Sequence, residues 1–256
     1  MAFDWQLLLT VAVSYLFVVV VVLFDRRFKV GIGRELLYTS LLSLAQLIFI
    51  AFVILYLLKL KLPWLNLCVV LFFYFNASLI ALKRFQLKVY SRLKVFLIVF
   101  STVSLISTLS LFLLYLAGVL KLKANSLIPL AGIVTAAGMR SLSLAFRYFK
   151  TRLADLSDVL LGMFALGASD FAVFTFLFRQ IIDDITTPVR DMFRSAGIVH
   201  IPGVMVGLLV AGVFPLKAAI VQFAILSVMV FQFTFVPSAA LALLVLLFGL
   251  KLEQEV

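Results

Sequence analysis

A single cysteine and a single histidine in 256 residues deny this chain several kinds of chemistry. Cys68 alone cannot close an internal disulfide or build a thiolate metal cluster, since each needs partners. His200 alone gives no His-x-x-x-His spacing, and no Cys-x-x-Cys pair is present. Glu35 is the only glutamate before the C-terminal tail, so hydrolase and metalloenzyme readings have little to stand on and no catalytic residue is assigned. The Gly-x-x-x-x-Gly-Lys-[Ser/Thr] loop that cradles nucleotide phosphates is missing as well, and the chain cannot hydrolyse ATP alone by that route. Charge is also scarce. Only 13% of residues are charged and 65% are hydrophobic, with a mean hydropathy of +1.26, where soluble domains hold about 25% charged residues. A water-soluble fold cannot hide that much apolar surface.

What the chain does have is long apolar runs with basic residues between them. The runs are Trp5–Phe24, Leu36–Leu58, Trp64–Leu82, Val95–Leu120, Leu127–Phe146, Ile198–Phe214 and Ala218–Leu250. About 20 mostly apolar residues make one helical crossing of a bilayer, so these are seven candidate spans. The first is unlike a cleaved signal and reads as a span, because Met1 to Phe24 opens with Asp4, carries no base at its start and is too long. The last run is long enough to tilt or to bend near Pro237. The expectation is an all-α integral membrane protein of about seven transmembrane helices in one domain covering residues 1–256.

Of the 33 charged residues 22 are basic, giving a net charge of +11. They sit between apolar segments rather than on one helix face or in an aromatic and basic stripe, which argues for membrane orientation and against nucleic acid. Arg26, Arg27, Lys29 and Arg34 crowd the first loop, and Lys83, Arg84, Lys88, Arg92 and Lys94 the third. The fifth holds Arg147, Lys150, Arg152, Arg179, Arg190 and Arg194. The second, fourth and sixth carry only Lys59 and Lys61, then Lys121 and Lys123, then Lys217. The positive-inside rule then puts the odd loops and the C-terminus in the cytoplasm and the N-terminus outside.

The fifth loop, residues 147–197, is too apolar to be a linker and reads as a cytoplasmic or interfacial coupling region of two amphipathic helices. One, near Asp155–Leu166, gathers Leu156, Leu160, Met163 and Phe164, and Gly167 ends it. Ser169 then caps a second, in which Phe171, Phe174, Phe178, Ile181, Ile182 and Ile185 share a face until Pro188 closes it. Such a segment lies against membrane or bundle, or enters the bilayer part-way.

From Ile128 onward a pattern accumulates: Ile128-Pro129-Leu130-Ala131-Gly132, Met139, Leu166-Gly167-Ala168-Ser169, Arg179, Pro188, Asp191 and Gly197. It continues through Ile201-Pro202-Gly203-Val204-Met205-Val206-Gly207, Ala211-Gly212, Pro215 and Gln222, and upstream Phe75-Asn76-Ala77, Lys83-Arg84 and Gln46 fit too. In these elements the chain resembles the FetB-type permeases, membrane subunits of bacterial ABC transporters associated with iron export, whose plant relatives are associated with aluminium tolerance. It departs from them at Ala136 and Ala137, where the family has Gly-Asn, and at Leu42, where it has arginine. The resemblance implies a homodimeric permease in the inner (plasma) membrane, among membrane lipids, that exports iron or another metal ion. It also implies a separate cytoplasmic ATPase that holds ATP and magnesium, so that no cofactor and no enzymatic step fall to this chain. In that setting Leu166, Gly167, Ala168 and Ser169 would form the corner that couples to the ATPase. Asn76, Met139, Asp191, Pro202, Gly203, Met205, Gly207 and Gln222 would line or hinge the transport path, with any metal ligands unknown.

Each of these residues has a plainer reading. Gln46, Asn76, Gln222 and Gln232 suit hydrogen bonds between helices, Arg140 suits a snorkelling side chain, and Asp191 suits a local ion pair with Arg190 or Arg194. Cys68, Met139 and Met205 suit packing, and His200 an interfacial hydrogen bond. Gly203-x-x-x-Gly207 suits close helix packing as well as a hinge. A membrane scaffold or lipid-organising protein, and a secondary transporter driven by an ion gradient, are the rival readings of the whole chain.

Overall fold

The computed structural model describes residues 5–60, 62–87 and 89–250, with Pro63 described in its backbone only. Among these residues there are helices and no strand, as an all-α membrane protein requires. Lys61 and Lys88, which the charge pattern assigns to opposite sides of the membrane, lie outside the described residues.

Two compact units divide at residue 61. The first is a hairpin of α1 (Trp5–Phe28) and α2 (Gly33–Leu60). Its turn is closed by Asp25, whose carboxylate accepts the N–H groups of Ile32 and Gly33, each at 2.9 Å. Those are donors that the start of a helix leaves without an intrahelical partner. Both helices expose nearly all of their apolar side chains, which fits a lipid or protein surround rather than water.

The second unit contains α3 (Pro63–Arg84), α4 (Arg92–Leu116), α5 (Ala124–Asp155), α6 (Ser157–Ala165), α7 (Asp170–Ser195), α8 (Gly203–Val210) and α9 (Pro215–Phe248). Its core lies where α4, α5 and α9 meet around Gln232, a fully buried side chain that donates to Ser110 Oγ at 2.9 Å and to the Ile106 carbonyl at 3.3 Å. Gln232 is at the midpoint of α9, so this contact marks mid-depth of the unit. One end is fixed by Tyr90, whose hydroxyl donates to the Gly249 carbonyl at 2.9 Å, and by Lys94, 4.9 Å from the Phe248 ring centre.

Six described helices, α1 to α5 and α9, are long and apolar enough to cross a membrane. They match six of the seven apolar runs. The seventh, Ile198–Phe214, differs: it yields only the eight-residue α8, about 12 Å long at 1.5 Å per residue. Pro202 precedes α8 without an N–H to donate, and Gly212, at φ +79°, ends it in the left-handed conformation. Apolar composition cannot override two helix stops 10 residues apart.

The expected end of the second amphipathic helix at Pro188 is also corrected, because α7 runs through it to Ser195. A proline inside a helix frees carbonyls one turn back. Here Thr187 Oγ1 and Arg190 Nη2 both donate to the Asp183 carbonyl, at 2.8 and 3.0 Å. The carbonyl that loses its backbone donor is that of Asp184, four residues before Pro188, while its neighbour Asp183 gathers these side-chain donors and the helix continues. The buried stripe of α7, including Leu177, Ile181, Ile185 and Val189, then stays in register against the core. The helix lies antiparallel to α9 over nearly its whole length. At one end Asp170 Oδ2 accepts the Leu250 N–H at 3.3 Å, and at the other the rings of Phe193 and Phe223 meet at 6.0 Å.

Candidate functional site

The corner between α6 and α7 takes its shape from local chemistry. Gly167 has φ +85°, a conformation that costs a residue with a Cβ about 1–2 kcal/mol. Its N–H donates to the Phe164 carbonyl at 2.9 Å and the next N–H, of Ala168, to Met163 at 3.0 Å. These two bonds are the paired closure of a Schellman helix end. Ser169 Oγ then accepts the Ala172 N–H at 3.3 Å and caps α7. With both helix ends satisfied from within, Leu166 is left 90% exposed at the tip. The corner thus presents an apolar tip on a turn held by its own hydrogen bonds.

That corner is tied to the rest of the unit through Asp170. Its carboxylate holds the Leu250 N–H just beyond α9, and a Cβ on Gly249 would stand 2.8 Å from the same Oδ2. Since Tyr90 holds the Gly249 carbonyl, any displacement of the corner reaches both α9 and the α3–α4 loop.

At the opposite end of α7 and α9 the structure joins two of the expected path residues. Gln222, 5% exposed, accepts the Met205 N–H with Oε1 at 3.1 Å, pinning the first turn of α8 to α9. Pro202, Gly203 and Gly207 belong to the same segment, and neither glycine has an atom within 4 Å of where a Cβ would stand. In the single chain the small-residue spacing of α8 therefore packs against nothing, while Gln222 does make the interhelical bond its plainer reading required.

The other expected path residues are dispersed. Asp191 is exposed on α7 and pairs with Arg194 at 3.2 Å. Asn76 donates to the Phe72 carbonyl of its own helix at 2.8 Å, and Met139 packs part-buried against the core. His200 is exposed, and its carbonyl accepts the Gly197 N–H at 2.8 Å. No group of three His, Cys, Asp or Glu side chains that could hold a metal ion occurs among the described residues.

Between the two ends α7 carries charge along the side away from its buried stripe. Arg190 pairs with Asp183 at 2.7 Å, and Arg152 of α5 lies 3.9 Å from Asp184. Neutralised pairs on a helix packed lengthwise against a span suit a water-lined or protein-covered face better than lipid.

Residues 8–248 match the model of the family described as "Uncharacterised protein family (UPF0014)". The chain belongs to that family. Among curated relatives it is 27% identical over 209 residues to "Probable iron export permease protein FetB" of Escherichia coli (strain K12), covering 82% of this chain and 79% of that one. It is 23% identical to "UPF0014 membrane protein YjkA" of Bacillus subtilis (strain 168), over 93% of this chain and 91% of the relative. "Protein ALUMINUM SENSITIVE 3" of Arabidopsis thaliana matches at 23% over 48% of this chain and 45% of its own length. The resemblance carried by the Leu-Gly-Ala-Ser and Pro-Gly-x-Met-x-Gly elements is thereby borne out. No solved structure matches.

Two features of this UPF0014 chain were not singled out by motif. Asp170 looks like an ordinary acidic residue in a first helical turn, and nothing local signals its bond to a residue 80 positions away. Arg140 and Arg147 belong to different segments by hydropathy, the one to an apolar run and the other to a loop, although their spacing of seven puts both on one face of α5.

Proposed function

We propose that this protein is the membrane-spanning permease subunit of an ABC transporter, working as a homodimer with a separate cytoplasmic ATPase and exporting a metal ion, free or complexed. The observation that carries the reading is the Leu166–Ser169 corner, rigid by its own hydrogen bonds, exposed at its leucine tip and linked through Asp170 to the end of α9. An ATPase whose halves close on ATP would push this corner, and α7 and α9 would carry the displacement across the membrane. Metal export is taken over from the name of the E. coli relative.

In this reading α7 is the seventh crossing. Its 26 residues span about 39 Å, more than the roughly 30 Å of a hydrocarbon core. Its antiparallel course beside α9 gives the odd number of passes that an outside N-terminus and a cytoplasmic C-terminus need. Arg190 and Arg194 then move from the cytoplasmic loop to the outer end. The charged side of α7 is covered by water or by the second copy.

Cysteines introduced at Lys123 and Val199 should label from outside in intact cells, and ones at Arg152 and Leu166 only after permeabilisation. Protection of Val199 would remove α7 as a crossing. Tagged protein purified from its own cells should retain a soluble ATPase whose hydrolysis rises when the two are together. A preparation free of ATPase that still moves cargo down an ion gradient would hand the function to a secondary transporter.

A further inference from the structure

The exposed face of α5 carries cations that the chain itself leaves unanswered. At the foot of the helix, between it and the end of α3, is a cleft of about 610 Å3 lined by Arg84, Gln86, Ser143, Arg147, Lys150 and Thr151 among others, with no carboxylate in its wall. Lys150 spends one proton on Gln86 Oε1 at 3.1 Å. The hydroxyls of Ser143 and Thr151 donate to the Met139 and Arg147 carbonyls of their own helix. What remains to meet a ligand is the guanidinium of Arg147, which has no partner among the described residues, and the other protons of Lys150. Seven residues further up the same face is Arg140, exposed and likewise unpartnered among the described residues. It lies between Gly138 and Ser141, the two residues of α5 that meet Gln232, and so at mid-depth.

Depth separates this stripe from an ordinary basic rim. Positive loops at a membrane surface orient a protein, but an arginine at the middle of a bilayer is costly unless it faces water, a partner or a ligand. On α7 Arg190 is answered by Asp183 and Arg194 by Asp191. On α5 Arg152 pairs with Asp155 and Asp184, but Arg140 and Arg147 have no such partner among the described residues. A bare metal cation would be repelled by such a face, and it would find no cluster of three ligating side chains among the described residues.

We infer that the Arg147–Lys150 cleft is a binding site for a soluble oxyanion, carboxylate or phosphate, and that Arg140 is the next station of the same path. Two or more charge-assisted hydrogen bonds from a guanidinium and an ammonium are the usual means of holding such groups. The inference rests on the permease reading for the word path, and it gives that reading a cargo class: a metal travels here as an anionic complex, if it travels at all.

The test is equilibrium binding to the purified protein in nanodiscs of phosphatidylcholine, with citrate, ferric citrate, pyrophosphate and ferrous ion alone as probes. Citrate or pyrophosphate should bind, and ferrous ion alone should not. R147Q/K150Q, which removes both charged donors, should weaken anion binding about a hundredfold or more, about tenfold for each charge-assisted bond lost. K121Q, at the far end of α4, should bind as the parent does. R140Q should keep the affinity of the cleft and lose most anion flux in proteoliposomes containing the ATPase. Melting temperatures near the parent's establish that the variants are folded. Equal affinity in R147Q/K150Q and parent, or binding of ferrous ion without any anion, would overturn the assignment. So would loss of all anion binding when phosphatidylglycerol replaces part of the phosphatidylcholine at constant ionic strength, since the cleft would then belong to a lipid headgroup. Anion binding in a protein that recruits no ATPase would sink the ABC reading and leave this site standing.

Discussion

Gly167→Val should abolish stimulation of the partner ATPase while leaving a folded, membrane-inserted protein. The argument is local. At φ +85° valine is strained by about 1–2 kcal/mol, and no atom lies within 4 Å of the new Cβ to be displaced. The cost is therefore conformational and falls on the corner. The chain relieves it by giving up the Gly167 and Ala168 hydrogen bonds, which swings Leu166 and misdirects the start of α7. Gly162→Ala supplies the contrast, because Gly162 is helical and has equally open surroundings. There alanine should be neutral or gain about 0.5–1 kcal/mol of helix stability. Leu166→Asp tests the tip without touching the backbone and should weaken ATPase binding about tenfold or more, the share of one buried apolar anchor. Pull-down and stimulated hydrolysis in one detergent measure all three. Full stimulation in Gly167→Val and Leu166→Asp together would place the docking surface elsewhere, with the basic α3–α4 loop next in line.

The corner was legible because everything that makes it lies within the ten residues 163–172. A glycine after an apolar helical pattern and a serine before the next one are statements about neighbours in sequence, and the structure repeats them as φ +85° and a capped α7. Six spans were legible for a similar reason, since 20 apolar residues in a row leave little choice. The crossing proposed for α7 is hidden by that same criterion. Ile198–Phe214 is apolar enough but broken by Pro202 and Gly212, while α7 is polar along one side and yet long enough. Hydropathy averages over a helix and cannot see that Ile181 and Ile185 point inward while Asp183 and Thr187 point out. Pro188 misled further, because a proline removes one ladder bond without ending a helix whose apolar stripe, Ile181, Ile185 and Val189, stays buried against the core. The Asp170 link to Leu250 and the basic stripe of α5 needed the fold itself.

The mid-depth crossing offers the sharpest test of packing. Gly138 of α5 faces α9 so closely that a Cβ would stand 3.0 Å from Gln232 Oε1 and 3.5 Å from a methyl of Val236. Alanine there should be tolerated, because a shift of a few tenths of an ångström in the amide is offset by the helix propensity alanine gains, about 0.5–1 kcal/mol. Leucine should not. Its further carbons enter the space of Gln232 and Val236, both fully buried, and overpacking of this kind costs about 1–3 kcal/mol. Removing the polar centre instead should cost less. In Gln232→Leu the Ser110 hydroxyl keeps its bond to Ile106 at 2.9 Å, and only Ser107, whose bond to Gln232 is a long 3.4 Å, loses its acceptor. Polar contacts between membrane helices average about 0.6 kcal/mol, so the order of stability should be parent and Gly138→Ala together, Gln232→Leu slightly below, Gly138→Leu well below. Thermal or sodium dodecyl sulfate unfolding in a common detergent gives that order. If Gln232→Leu proved the more damaging of the two, the α4–α5–α9 junction would be held by its hydrogen bonds rather than by the close approach that Gly138 permits.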